Sequence, residues 1–146
     1  MDRKVVLLVE DNPDDRDLTL RAFARHKLGN TVDLARDGQE ALDYLFSPGP
    51  DGALRPLPEL VLLDLNLPRV GGLEVLKLIR SDPRTRLLPV VVLTSSAEEQ
   101  DLVKSYSLGA NSYVRKPVSF TDFVEASHQL GMYWLVLNRT PRGDSA

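Results

Sequence analysis

Four short stretches carry the side chains whose types and placing could do chemistry: Glu10-Asp11, Asp64, Thr94 and Lys116. Each follows or closes a strand-like run. Val5-Val6-Leu7-Leu8-Val9 precedes Glu10, Leu60-Val61-Leu62-Leu63 precedes Asp64, Pro89 to Leu93 precedes Thr94, and the shorter Ser112 to Arg115 precedes Lys116. Three carboxylates brought together would form a dense negative cluster, which favours a hard divalent cation with oxygen ligands. Mg²⁺ suits such a set, because it takes a few carboxylates and fills its other positions with water and phosphate oxygens. A cation there would neutralise charge on an incoming phosphoryl group and hold it in line with a carboxylate. Asp64 would then be the nucleophile and form an acyl phosphate. The Lys116 ammonium offers a point charge to phosphoryl oxygens, or to the Asp64 carboxylate when that carries no group. The Thr94 hydroxyl can hydrogen-bond a phosphoryl oxygen.

These groups lie far apart in sequence, so a fold must assemble them. The runs at Val5–Val9, Leu60–Leu63 and Pro89–Leu93 are apolar at every position, the pattern of strands buried on both faces. Thr31 to Ala35 alternates, as a shorter strand does. Between these strands lie helical patterns. Pro13 suits a first helical position and Asp14 and Asp15 a first turn, with Leu18 and Ala22 at helical spacing and His26, Lys27 and Gly29 at the end. Asp37 is a good N-cap for Gly38 to Phe46, which places Ala41, Leu42 and Leu45 on one face. Leu73, Leu76 and Ile79 begin a stripe that stops before Pro83. Ala97 to Leu108 reads as a helix closed by Gly109. Ser119 or Thr121 caps a last helix that runs to about Leu137. Ser47 to Pro58 holds four prolines and two glycines and reads as a long loop, and Gly71-Gly72 reads as a turn. Five strand–helix pairs predict an α/β fold, a parallel sheet with helices on both faces. In such sheets the carboxyl ends of strands line the ligand crevice, which is where all four stretches fall.

Composition narrows the remaining classes. The chain has 146 residues, 42% hydrophobic and 27% charged, enough for one core and one domain. The net charge is -3 and the Lys and Arg residues are scattered, so no nucleic-acid partner is expected. Cysteine is absent, which removes disulfides, a thiol nucleophile and thiolate metal sites. The N-terminal apolar run is too short for a signal peptide or a membrane span, and a cytoplasmic protein without membrane contact is expected. His26 and His128 have no partner at ligand spacing. Asp14, Asp15 and Asp37 are explained by capping and dipole effects.

Taken in order, Val9-Glu10-Asp11-Asn12, Leu63-Asp64-Leu65-Asn66-Leu67-Pro68, Leu93-Thr94-Ser95 and Val114-Arg115-Lys116-Pro117 resemble the response-regulator receiver family. Thr94 follows Asp64 by 30 residues and Lys116 follows it by 52, intervals like those usual in the family. The resemblance covers roughly residues 4 to 137. It implies a flavodoxin-like, doubly wound sheet of five parallel strands with five helices, in strand order 2-1-3-4-5. It makes Asp64 the phosphoacceptor and gives the cation Glu10, Asp11, Asp64 and the backbone carbonyl of Asn66. Lys116, Thr94 and Ser95 would contact phosphate, and Lys116 would precede a cis Pro117. Thr94 and Tyr113 would be a switch pair that remodels the surface around the fourth helix, fifth strand and fifth helix. Asn66 and Ser96 would tune hydrolysis of the acyl phosphate. Glu10 stands where many relatives have Asp, a common variation. The implied role is a phosphoacceptor with self-catalysed phosphorylation and dephosphorylation, rather than an enzyme.

Residues 1–138 are expected to form the receiver domain and residues 139–146 a flexible tail, with no output domain, so output would be a protein contact or onward phosphotransfer. Met132 to Leu137 are six consecutive apolar residues, more than one helix face can bury. A homodimer through the last helix, by way of Tyr133, Trp134, Val136 and Leu137, would cover them. The Ser47–Pro58 loop, the Glu10 to Asp15 segment and Tyr133-Trp134 resemble, more narrowly, response regulators that partner bacterial phytochromes, which implies a light-sensing histidine kinase as phosphodonor. Two alternatives stand beside this reading. A magnesium phosphohydrolase using an aspartyl phosphate would place a second Asp two residues after the nucleophile, where this chain has Asn66. A scaffold that has lost phosphorylation would lack one of the acidic pair, the acceptor or the Lys, and all are present here.

Overall fold

The computed structural model describes residues 4–25, 30–65, 67–94 and 112–115, with helical backbone at Thr121 and Glu125. The elements run β1 (Lys4–Val9), α1 (Pro13–Arg25), β2 (Asn30–Ala35), α2 (Gly38–Phe46), β3 (Leu60–Asp64), α3 (Gly72–Ser81), β4 (Val90–Thr94) and β5 (Ser112–Arg115). All five strands pair in parallel in the order β2-β1-β3-β4-β5. The two further helices expected from the sequence lie outside the described residues, apart from the helical backbone at Thr121 and Glu125.

The central strands are buried on both faces because they are apolar at every position. Leu7 and Val9 of β1, Val61 and Leu63 of β3, and Val90 and Val92 of β4 pack in one cluster with Ala41 and Leu45 of α2 and Val75, Leu76 and Ile79 of α3. The intervening Val6, Leu8, Leu60, Leu62, Val91 and Leu93 point to the other face and are equally buried. Truncating one such leucine or isoleucine to alanine costs about 2–5 kcal/mol, a large share of a domain's net stability.

Helix starts follow side-chain chemistry. The Asn12 carboxamide accepts hydrogen bonds from the backbone N–H of Asp14 (2.8 Å) and Asp15 (3.0 Å), while Pro13 fills the first helical position, where no donor is needed. Asp37 caps α2 by accepting from the Glu40 N–H at 2.8 Å, and the Glu40 carboxylate accepts from the Arg36 N–H at 2.8 Å. In α1 the residue turned inward is Thr19, not Leu18. Thr19 is 2% exposed and Leu18 46%. The Thr19 hydroxyl can be buried because it donates to the Asp15 carbonyl at 3.0 Å.

The long loop from Ser47 to Pro58 is fastened at its far side. Arg84 donates to the carbonyls of Leu45 (2.6 Å) and Arg55 (2.7 Å). The Arg55 guanidinium lies over the Tyr44 ring, 4.6 Å from its centre, and the Tyr44 hydroxyl donates to Asp33 on β2. Burial first, then the Asp33 hydrogen bond and charge, push the Tyr44 phenol well above its ordinary value of 10.0, while Arg55 opposes this. The folded chain therefore keeps a proton that the unfolded chain releases above pH 10.0. This contribution is complete below that pH and is lost as pH rises beyond it. In urea titrations at alkaline pH, the wild type should lose stability faster than Tyr44→Phe, by at most about 1 kcal/mol per pH unit after solvent screening.

Candidate functional site

Strand register brings the first two acidic stretches together. β1 and β3 are neighbours, and Val9 pairs with Leu63, so Glu10 and Asp64 come next on adjacent strands. In the order β2-β1-β3-β4-β5, the chain turns to opposite sides of the sheet from β1, and the crevice beyond the strand ends opens at that switch. The Glu10 N–H donates to the Ala35 carbonyl at 3.0 Å, which extends the β1–β2 ladder by one residue. Glu10 and Asp64 are each 1% exposed, whereas Asp11 faces solvent.

One carboxylate oxygen from each of Glu10, Asp11 and Asp64 lies within 4.8 Å of the other two. Oxygens on one octahedral Mg²⁺, each about 2.0–2.1 Å from the ion, stand roughly 2.9 Å apart when adjacent and 4.2 Å when opposite. Rotamer adjustments that close these separations by up to about 2 Å would gather the three on a common ion. The donors are all anionic oxygens, the set that hard divalent cations prefer. Packing three like charges this closely, with two of them buried, calls for compensating positive charge. The donor set therefore fits a divalent cation.

Neighbouring groups fix the turn that carries the acidic pair. The Asn12 N–H donates to Glu10 Oε2 at 3.2 Å. Arg16 Nη1 donates to the carbonyls of Glu10 (3.0 Å) and Asp11 (3.2 Å), so its charge is directed to backbone oxygens. Sequence reasoning placed Asn12 only within the motif around Glu10 and Asp11, and passed over Arg16. Asn12 had a signal, an Asn directly before a Pro at a helix start. Arg16 had none, because a side chain that reaches back to carbonyls five and six residues earlier leaves no mark in a periodic pattern.

The reading of Gly71-Gly72 as a turn alone needs correction. It suffices for Gly71, where an added Cβ would meet nothing within 4 Å. Gly72 is the first residue of α3, and its N–H donates to the Leu65 carbonyl at 3.2 Å. A Cβ on Gly72 would lie 2.3 Å from the Asp64 carbonyl oxygen and 2.7 Å from Leu65 Cα. The absence of a side chain lets α3 start directly against the backbone of Asp64.

The other expected site residues divide in two groups. Thr94 closes β4, whose pairing sets Leu93 opposite Asp64 and Thr94 opposite Arg115. The backbone thus places Thr94 at the same end of the sheet as Asp64, and β5 ends one residue before Lys116 in the sequence. Tyr113 lies in β5, paired with Val92. Asn66, Ser95, Ser96, Lys116, Pro117, Tyr133, Trp134, Val136 and Leu137 lie outside the described residues. No helix among the described residues is long and apolar enough to cross a membrane.

Comparison with known proteins agrees with this geometry. The chain matches the response regulator receiver domain family over residues 6–128. It is 46% identical over 137 residues to the probable methanogenesis regulatory protein FilR2 of Methanothrix harundinacea, a match covering 94% of this chain and 87% of that one. Among solved structures it is similar to the bacteriophytochrome response regulator AtBRR, at 52% identity and a TM-score of 0.82, covering 95% of this chain and 100% of that one. It is also similar to the Mn²⁺-bound form of the response regulator Rcp1 of Synechocystis sp., at 36% identity and a TM-score of 0.74, covering 94% and 99% of the two chains. With the sheet order, the acidic cluster at the switch point and this match over most of its length, the chain belongs to the response-regulator receiver domain family of two-component systems.

Proposed function

We propose that the chain is a phosphoacceptor switch that receives a phosphoryl group from the phosphohistidine of a sensor kinase onto Asp64. The observation that carries this reading is the convergence of Glu10, Asp11 and Asp64 to within 4.8 Å of one another at the crevice of the sheet. An Asp64 carboxylate oxygen attacks phosphorus, an O–P bond forms, and the P–N bond to the imidazole breaks. The electron pair stays on that nitrogen, which takes up a proton, so the kinase histidine returns to its neutral form. Mg²⁺, when bound, would supply charge neutralisation for the phosphoryl oxygens. Glu10 and Asp11 would hold it beside Asp64, and the family resemblance would give it the Asn66 carbonyl as a further ligand. Lys116, Thr94 and Ser95 bind the transferred group, and Asn66 and Ser96 set how fast water removes it. Thr94 and Tyr113 carry the switch to a protein-binding surface, a population shift between two states. The chain releases its phosphoryl group by its own chemistry and turns over no separate substrate.

Likeness to the bacteriophytochrome response regulator AtBRR supports a bacteriophytochrome as the kinase. The protein acts in the cytoplasm, passes its signal to a downstream protein or phosphotransfer partner, and pairs as a homodimer through Tyr133, Trp134, Val136 and Leu137. Sedimentation at micromolar concentration should give a dimer, and a monomer there would end that part of the reading.

Cation binding is the first test. A ligand that binds only the folded state at ten times its dissociation constant adds about 1.4 kcal/mol of stability. Mg²⁺ should therefore raise the wild-type unfolding midpoint. Asp11→Asn should lose most of that rise while being at least as stable as the wild type in EDTA, since it removes one of three crowded charges. A midpoint indifferent to Mg²⁺ would count against the switch and favour a non-phosphorylated scaffold. Steady release of phosphate from p-nitrophenyl phosphate would favour a phosphohydrolase.

A further inference from the structure

Outside the acidic cluster, the start of α2 meets the turn after Asp64 at two points. The Val70 carbonyl oxygen lies so close to Gly38 that a Cβ there would stand 1.9 Å from it, and 2.8 Å from Val70 Cβ. One residue earlier, Asp37 Oδ2 faces Arg69 Nη1 at 3.6 Å. Arg69 has φ 67°, the only non-glycine among the described residues in the left-handed region, which L residues with a long side chain seldom adopt.

Asp37 thus has two contacts. Its Oδ1 caps α2 and its Oδ2 holds the turn. The Arg69 side chain is 63% exposed, and an ion pair with so exposed a partner adds little to global stability. Its effect falls on the shape of the turn, because it favours a backbone state that Arg69 would otherwise leave. The far end of the same turn is fastened at Gly72, which bonds the Leu65 carbonyl and lies against the Asp64 carbonyl. A segment seated at both ends passes a shift at Arg69 and Val70 on to Gly72, and from there to the Asp64 backbone.

We propose that Asp37 is a positioning residue for Asp64. Together with Gly38 it seats the Arg69–Val70 turn on α2 and so sets where the Asp64 carboxylate stands in the acidic cluster. The proposal rests on the reading of that cluster as a cation site.

Two variants test it. Asp37→Ser keeps a good N-cap for α2 and removes the ion pair. Adding Arg69→Gly supplies a residue that takes positive φ without steric cost, so the turn no longer needs its anchor. The readouts are the Mg²⁺ dissociation constant by calorimetry, and hydrogen exchange of the Gly72 amide without metal. Asp37→Ser should unfold within a few degrees of wild type, bind Mg²⁺ about tenfold more weakly, at the low end of losses from removing outer support of a metal ligand, and exchange the Gly72 amide faster. The double variant should return both readouts toward wild type. Unchanged Mg²⁺ affinity in Asp37→Ser, with the wild type binding normally, overturns the proposal. So does a tenfold loss that Arg69→Gly does not recover, which would trace the effect to the α2 cap. If the wild type binds no Mg²⁺, the cation reading fails, and Gly72 exchange then decides the seating alone: faster exchange recovered in the double variant upholds it, and unchanged exchange overturns it.

Discussion

Asp64→Asn should take up no phosphoryl group from acetyl phosphate or from a phosphorylated kinase, and in EDTA it should be more stable than the wild type. The two effects have one origin. Asp64 is 1% exposed at the end of β3, with carboxylate oxygens of Glu10 and Asp11 within 4.8 Å. An amide of the same shape has no anionic oxygen to attack phosphorus, and loss of a nucleophile lowers such a rate by at least about a thousandfold. The same substitution removes one of three crowded charges, two of them buried, and so relieves repulsion within the cluster. Saturating Mg²⁺ should reverse the order, because the wild type then gains binding free energy that the variant has largely lost. Denaturant titrations of both proteins with and without Mg²⁺ read all four values. A variant less stable than wild type in EDTA would mean that Asp64 is held mainly by favourable partners and not crowded by like charges.

Gly72→Ala should destabilise the fold by about 3 kcal/mol and slow phosphoryl uptake, although helix propensity alone predicts a small gain from Gly to Ala. The sign decides between two accounts of this glycine. If it served only the turn, alanine would be tolerated in a helix that starts there. In the structure its Cβ would stand 2.3 Å from the Asp64 carbonyl oxygen and 2.7 Å from Leu65 Cα, both backbone atoms that cannot swing aside. Either α3 shifts outward or the end of β3 moves, and the second displaces the phosphoacceptor itself. Gly71→Ala is the control, because nothing lies within 4 Å of a Cβ there. Chemical unfolding and the rate of phosphoryl uptake measure the two effects separately. Neutral behaviour of Gly72→Ala would show that the close approach is easily relaxed.

Much of this architecture can be read from the chain because its signals are local. Apolar runs without alternation specify strands buried on both faces, and β3 and β4 fall where Leu60–Leu63 and Pro89–Leu93 place them. The α2 bounds match the expectation from the Asp37 cap, and the sheet order agrees with the family resemblance. The acidic cluster was legible for a different reason: carboxylates directly after parallel strands must meet once register is set, and Val9 opposite Leu63 sets it. What escaped are contacts between segments. Nothing local marks Arg16 as the donor to the Glu10 and Asp11 carbonyls, Gly72 as the seat of Asp64, or Gly38 as the seat of Val70. Each depends on how closely two backbones approach in space, which periodicity does not encode. Thr19 replaced Leu18 on the inner side of α1 for a similar reason, since a hydroxyl bonded to the carbonyl four residues back is no longer a polar cost.

The central claim is that Asp64 takes the phosphoryl group, and trapping it at its residue tests this most directly. Wild-type protein would be incubated with acetyl phosphate and Mg²⁺, then reduced with borohydride, which converts an aspartyl phosphate to homoserine, and mapped by peptide mass spectrometry. The account predicts homoserine at position 64 and nowhere else, and none when EDTA replaces Mg²⁺. Phosphate on a serine, threonine or histidine, or an unmodified Asp64 in a chain shown to bind Mg²⁺, would contradict it.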